Sequence, residues 1–438
     1  MQLDDPRGVA VQCSTAASID RFEAALNDVL AFRGDPVGRI EAAIAEDPDL
    51  VLGHALRAQI FAFSLQPGFK SKAEVSLAAA APLEAAAPDR ERLHLEAARA
   101  WLAGNLDRST ACFDALLDQN PRDLMALMFG HQADFFAGHT TALRTRPERS
   151  VRDWPKDVPG YGFVLGMHAF GLEEAGEYGT AEALGREAVD RNPLDVWAIH
   201  AVGHVLEMQG RDEEGIGWYR SREADWAEGS FFAVHNAWHM ALYHLDREEP
   251  AEALAVYDRL IAPGPRSIVL NLCDAAALLW RLHLGGVDVG PRWTALADLF
   301  APQAQRATHV FNDVHAALAF AGAGRDVDGA TLLVRLGTVA HAPGQYGAMV
   351  AGIGLPAAEA ILAFGRGDYG TSTDTLLAAR GELALMTGSL AQRDVLTMTL
   401  IEAALRDGRF SLARDLLQPR LAAKPGSARI ARDLARAR

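Results

Sequence analysis

The chain has 438 residues, half of them apolar, with 57 acidic against 42 basic side chains and a formal net charge of −15. Such a chain buries a large core with ease, but it lacks the basic stripe that phosphate binding needs, so nucleic acid is excluded as its main partner. Its three cysteines, Cys13, Cys112 and Cys273, stand far apart without a Cys-x-x-Cys spacing, which predicts reduced, mostly buried thiols in a cytoplasmic protein. Met1 to Arg7 are acidic without an apolar core, and no charge-free apolar run has membrane-spanning length, so the expectation includes neither a secretory signal nor a membrane partner.

In chain order, the clearest punctuation is an Asp/Asn-Pro step. Asp47-Pro48, Asn120-Pro121 and Asn192-Pro193 are separated by 73 and 72 residues, close to two helix–turn–helix units of about 36. Each step closes an amphipathic run (40–46, 113–119, 183–191) and precedes another helical pattern. Proline cannot continue the first helix, and its fixed φ suits the opening of the next. Gly104, Gly138, Gly176, Gly210, Gly365, Gly367 and Gly408 supply turns inside the units. The tract 140–160, with Pro147, Pro155 and Pro159, predicts an interrupted second helix followed by a loop. Period-two alternation is almost absent, so no sheet is expected.

Residues 406–438 carry nine Lys/Arg against three Asp, the composition of a solvated final helix. About eleven helix pairs at roughly 37–40 residues each fill the chain. The fold expected is an all-α, right-handed superhelical solenoid of tetratricopeptide-like repeats, with enough units to close around a central pocket. It reads as one array, with N-terminal helices over 1–47, N-terminal repeats over 48–150, central repeats over 151–340 and C-terminal repeats over 341–438.

The most regular unit starts at Val196. Gly203, Leu206, Gly210 and Gly215 fall at the small and apolar packing positions of a tetratricopeptide unit, and Tyr219 fills an aromatic one. Trp197, His200, His204 and Glu207 then take positions 2, 5, 9 and 12, which point into the concave groove. In the next unit Phe232, His235 and His239 take the equivalent places. His200 and His204 are four residues apart, as are His235 and His239, and the two pairs are displaced by 35 residues. A four-residue step puts both imidazoles of a pair on one helix face.

Four segments carry a family resemblance: Tyr161 to Glu174, His200 to Gly210, Val234 to Tyr243, and the pairing of Phe311 to His315 with Gln392 to Val395. Together they resemble the tetratricopeptide repeat protein 38 family, with the His-Asn-x-x-His block at His235 to His239 as the most specific part. The resemblance implies an all-helical tetratricopeptide-like solenoid and no reaction.

The residues themselves support two chemistries in one pocket. The four histidines, with Glu207 or Asp313, have the chemistry to hold a divalent metal, although the His-Glu-x-x-His zinc motif is absent. Alternatively His204, oriented by Glu207 one turn away and faced by His239, acts as an acid–base catalyst of hydrolase type on a small polar molecule. Asn236 would donate to a developing oxyanion, Asp313 and His315 add an acid and an imidazole, and Arg393 beside Asp394 would clamp a carboxylate or phosphate. Trp197 and Phe232 would give the pocket apolar walls. The competing reading, from base rates for this repeat class, is a non-enzymatic scaffold that binds a peptide or protein along its groove. His54, His94 and His131, recurring upstream, read as structural fillers of one helix position.

Overall fold

The structure, a computed structural model, describes residues 1–66, 68–303 and 309–438. Among these the chain is built from antiparallel helical hairpins of the tetratricopeptide type. The chain packs as two compact units, one formed by Met1–Val202 with Ala224–Phe232, the other by Gly203–Glu223 with Ala233–Arg438.

The first unit stacks five hairpins. Ala16–Leu30 pairs with Pro36–Glu46, Val51–Phe63 with Phe69–Ala80, Asp89–Leu102 with Leu106–Gln119, Leu124–Ala137 with Thr140–Val151, and Tyr161–Glu174 with Tyr178–Arg191. The Asp/Asn-Pro steps fall between hairpins, as the spacing predicts, but the prolines stay outside the following helices. Asp47, Asn120 and Asn192 cap the C-termini of their helices, and the next helices begin at Val51, Leu124 and Val196. Asp123 and Asp195 explain the three-residue delay. Their carboxylates accept from the backbone N–H groups of Ala126 and Ala198 at 3.0 Å, satisfying helix-start donors that proline leaves open. Within hairpins, Gly176 and Gly210 turn the chain at φ of +81° and +65°, a region costly for residues with a Cβ. The helix over Thr140–Val151 runs through Pro147 and ends before the 152–160 loop.

One small sheet departs from the sequence expectation. Gln2–Asp4 pairs antiparallel with Ala10–Gln12, with Leu3 opposite Val11. Three residues per strand are too few to show a period, and the pair is held from outside by an Arg7 guanidinium bound to Asp5 and Glu23. An isolated bridge, Arg33 to Ser230, also lies in this unit.

In the second unit the repeat continues through Ala233–Asp246, Val269–Leu284, Val310–Ala323, Leu355–Gly365 and Leu390–Arg406, each with its partner helix, and ends on Ala428–Arg436. The unit closes on itself. Trp280 Nε1 donates to Thr399 Oγ1 at 2.9 Å, Arg281 Nη2 donates to the Ala391 carbonyl at 2.7 Å, and the last helix packs on Ala233–Asp246. Asp246 fastens that return, accepting from Arg429 at 2.6 and 2.8 Å and from Lys424 at 3.2 Å. The basic C-terminal stretch is therefore only partly a solvated face, because its charges answer acids laid down earlier in the chain. Arg420 pairs with Asp394, and Arg436 with Glu402. The helical stretch Gln345–Gly365 is the one described stretch long and apolar enough to cross a membrane, and 67% of its apolar window is buried inside the protein.

Two helix contacts in this unit exist because a glycine leaves room. A Cβ on Gly203 would lie 2.0 Å from Tyr219 Oη, and one on Gly215 would lie 2.2 Å from Tyr243 Cζ. Tyr243 Oη uses that space to donate to the Gly203 carbonyl at 2.5 Å. Gly215→Ala is expected to cost about 1–3 kcal/mol, the usual range for overpacking. A denaturant melt of the variant checks this, with an unchanged midpoint meaning that the ring moves freely aside.

Candidate functional site

The site is assembled from the ends of three successive first helices of the second unit. His204 and Glu207 come from the C-terminal half of the Val196–Met208 helix, His235 and His239 from Ala233–Asp246, and Asp274 from Val269–Leu284. One helical turn separates the residues of each pair, and the stacking of units brings equivalent faces together. The result is a continuous chain of four ionisable groups. Glu207 Oε2 accepts from His239 Nδ1 at 2.8 Å, His239 Nε2 meets His235 Nε2 at 3.2 Å, and His235 Nδ1 donates to both oxygens of Asp274 at 3.0 Å. The His204 ring stacks obliquely on His239 with centroids 4.3 Å apart. His204, His235 and His239 each present a ring nitrogen, and these lie within 4.8 Å of one another.

This array is enclosed. His204 and His239 are fully buried, Glu207 is 6% exposed and Asp274 3%, while His235 is half-buried and marks the open side. Trp238 forms a wall, stacked on His235 at 5.4 Å and edge-on to His239 at 4.7 Å, with the Arg281 guanidinium over its far side at 5.1 Å. Burial pushes the Glu207 carboxyl up to about 7, against the pull of the Lys424, His204 and Arg281 charges. The same burial lowers Arg281 to about 10.

The sequence pattern places these side chains on a concave face with enough units to close around a pocket, and has Glu207 orienting His204. His204 and His239 are interior groups, but the pairing differs. The carboxylate of Glu207 binds His239 across the hairpin stack, because facing helices bring those atoms nearer than the turn of a single helix requires.

Of the remaining predicted residues, the rings of Trp197, His200 and Phe232 make an aromatic cluster of the first unit. Trp197 stacks on Phe32 at 5.6 Å, His200 stacks on Phe170 at 5.3 Å, and Phe232 is edge-on to both Trp197 and His200. His131 joins that cluster, edge-on to Trp197 and Phe170, and burial lowers it to about 3. His54 and His94 are held by the Pro48 carbonyl and by Asp123.

Asn236 turns into the core and is fully buried, and its amide meets no hydrogen-bond partner among the described residues. Asp313 is engaged by Arg335 and by Tyr346 Oη at 3.1 Å, and burial raises it to about 6. His315 Nδ1 donates to its own helix at the Phe311 carbonyl, 2.7 Å away. Arg393 donates to the Gly388 carbonyl, and Asp394 is held by Arg420. These last four are tied into their own repeats by partners that the sequence order does not reveal. Asp313 and Arg393 were the candidate ligand and clamp, and both spend their charge on local contacts.

Asp274 is the residue that sequence reasoning missed. It stands 35 residues beyond His239, the same displacement that separates His239 from His204, and it is the one acid in its helix. That coincidence of register was the available signal.

A comparison with profiles of known protein families finds no match. Among solved structures, a chain of the Naa15/Naa10 complex bound to HypK-THB is similar at 12% sequence identity with a TM-score of 0.26, over 96% of this chain and 65% of that one. This chain thus spans just under two thirds of the length of that protein, and nothing is carried over at that level of likeness.

The closure that buries the site has its own pH signature. Burial raises the Asp246 carboxyl, and Arg429 and Lys424 more than reverse this, holding it at about 2. A depressed folded-state value means the stabilisation is complete above the ordinary carboxylate range near 4 and is lost as pH falls toward 2. Its size is about 2 kcal/mol. Asp246→Asn should flatten the acid limb of a stability-versus-pH curve between about pH 4 and 2 and lower stability at pH 7 by about 2 kcal/mol, since two half-buried cations lose their partner.

Proposed function

We propose that this chain binds a small polar molecule at the His204–Glu207–His235–His239–Asp274 array and acts on it by hydrolase-type proton transfer. The observation that carries the reading is the paired anchoring of two imidazoles. Each Nδ1 is held by a buried carboxylate, so each ring is fixed in orientation with its Nε2 directed at the same point. Holding so many ionisable groups out of water costs several kcal/mol unless they are mutually satisfied, and a packed apolar core of equal volume avoids that cost. Arrangements of this kind recur where imidazole basicity is tuned for proton movement. The half-buried His235 supplies the access, and Trp238 supplies an apolar wall beside polar groups, the usual make-up of a small-molecule site.

The residue blocks shared with the tetratricopeptide repeat protein 38 family support membership of that family. The three buried thiols, none in a disulfide, support a cytoplasmic setting. A second reading has a specific basis in the fold. Stacked helical hairpins are surfaces on which extended peptides and helices dock, and a scaffold role would use them without any chemistry at the imidazoles.

A thermal-shift screen of the purified chain against small polar metabolites separates the two. A ligand present at 100 times its Kd stabilises by about 2.7 kcal/mol, and His239→Ala is expected to abolish the shift while helix content by circular dichroism is retained. Stabilisation by peptides alone, indifferent to His239→Ala, would establish the scaffold instead. Because His204 is fully buried, His204→Ala is expected to cost about 1–3 kcal/mol of stability in addition to ligand response.

A further inference from the structure

The pair of Nε2 atoms at 3.2 Å poses a chemical question that the four-group chain does not answer by itself. An ionised carboxylate accepts and does not donate, so Asp274, and Glu207 in its charged form, each select the tautomer that carries its hydrogen on Nδ1. The proton-free Nε2 atoms of two neutral rings then face each other with their lone pairs. Two lone pairs at that distance repel, and only a cation between them turns the geometry into an attraction. That cation is a proton, making one ring an imidazolium, or a metal ion.

The dimensions favour the metal. Two ligands of a tetrahedral zinc ion with Zn–N bonds of about 2.0–2.1 Å stand about 3.3–3.4 Å apart, close to the observed separation. A third ring nitrogen, from His204, lies within 4.8 Å of the other two. It has to close by at most about 1.5 Å to complete a three-histidine set. A shared proton, by contrast, gives no account of that third imidazole. The outer shell is also the one a histidine metal site requires: a carboxylate behind each of two ligands, fixing ring orientation and raising basicity. Both carboxylates are buried, and no bulk water competes for the Nδ1 hydrogens.

We infer that His204, His235 and His239 form a divalent transition-metal site, zinc in the first instance, with Glu207 and Asp274 as its orienting carboxylates. An open fourth position on a three-histidine zinc ion is where such sites hold an activated water or a substrate oxygen. The inference rests on the proposed small-molecule site and names its cofactor.

The test uses the full chain stripped with a chelator and then titrated with zinc or cobalt alone. The expected result is one equivalent bound, with the intense visible absorption of tetrahedral cobalt. His235→Ala and His239→Ala should each lose stoichiometric binding. Glu207→Gln and Asp274→Asn should keep one equivalent but weaken it about 10–100-fold, the usual effect of removing an orienting partner. A stripped wild-type chain that takes up no zinc or cobalt would overturn the inference whatever the variants do, and so would full binding by a folded His239→Ala protein. Octahedral cobalt spectra, or an affinity unchanged by Glu207→Gln and Asp274→Asn, would also count against it. A metal-free chain that still responds to a small polar molecule overturns the metal site and leaves the proposed function standing. A stoichiometric metal with no small-molecule response does the reverse.

Discussion

The hydrogen bond from His239 to Glu207 is the contact on which the interior of the second unit turns. It joins two successive first helices through a buried carboxyl that burial pushes up to about 7 against the pull of neighbouring charges. A buried ion of this kind is tolerated only with nearby opposite charge and satisfied oxygens. The surroundings meet both conditions. Lys424 brings positive charge from the far end of the unit and Arg281 from the helix that carries Asp274, and the imidazole supplies the donor. Removing the closure would expose the carboxylate to water and dissolve the reason for its imidazole partner.

That closure depends in turn on residues nearly two hundred positions away. Asp246 ends the helix that carries both His235 and His239, and it is gripped by Lys424 and Arg429. The last helix thereby packs against the helix that carries both imidazoles. Loop-closure entropy grows slowly with the length spanned, so a contact at such separation is affordable once the intervening hairpins are stacked. The small residues do the corresponding work at short range. Gly203 and Gly215 let Tyr219 and Tyr243 lie between helices, and this sets the spacing at which His204 meets His239.

Aromatic packing distributes the predicted residues differently from groove position. Trp197 and His200 share a helix with His204 and Glu207, one or two turns away, and yet they are side chains of an aromatic cluster. A large ring buries more apolar area there than a groove position offers, at roughly 25 cal/mol per Å². Position within a repeat selects a helix face, and the neighbours on that face decide whether an imidazole works as a packing ring or as a ligand.

Much of the fold was legible from residue spacing. The Asp/Asn-Pro steps mark the joints between hairpins, the turn glycines mark the joints within them, and the 35-residue displacement of the histidine pairs follows the stacking of equivalent helix faces. These are local signals, governed by backbone conformation and by a period repeated along the chain, and so they survive without any knowledge of contacts. The same displacement points onward to Asp274, the one acid of its helix. Burial of the array, the choice of His239 as the partner of Glu207, and the local engagement of Asp313, Arg393 and Asp394 were decided by tertiary structure alone. Each depends on which group the packing brings opposite: Lys424, Arg335, the Gly388 carbonyl, Arg420. A sequence period fixes the face of a helix, but desolvation and charge pairing are set by what covers that face, and the covering segment has no fixed offset from the residues it covers.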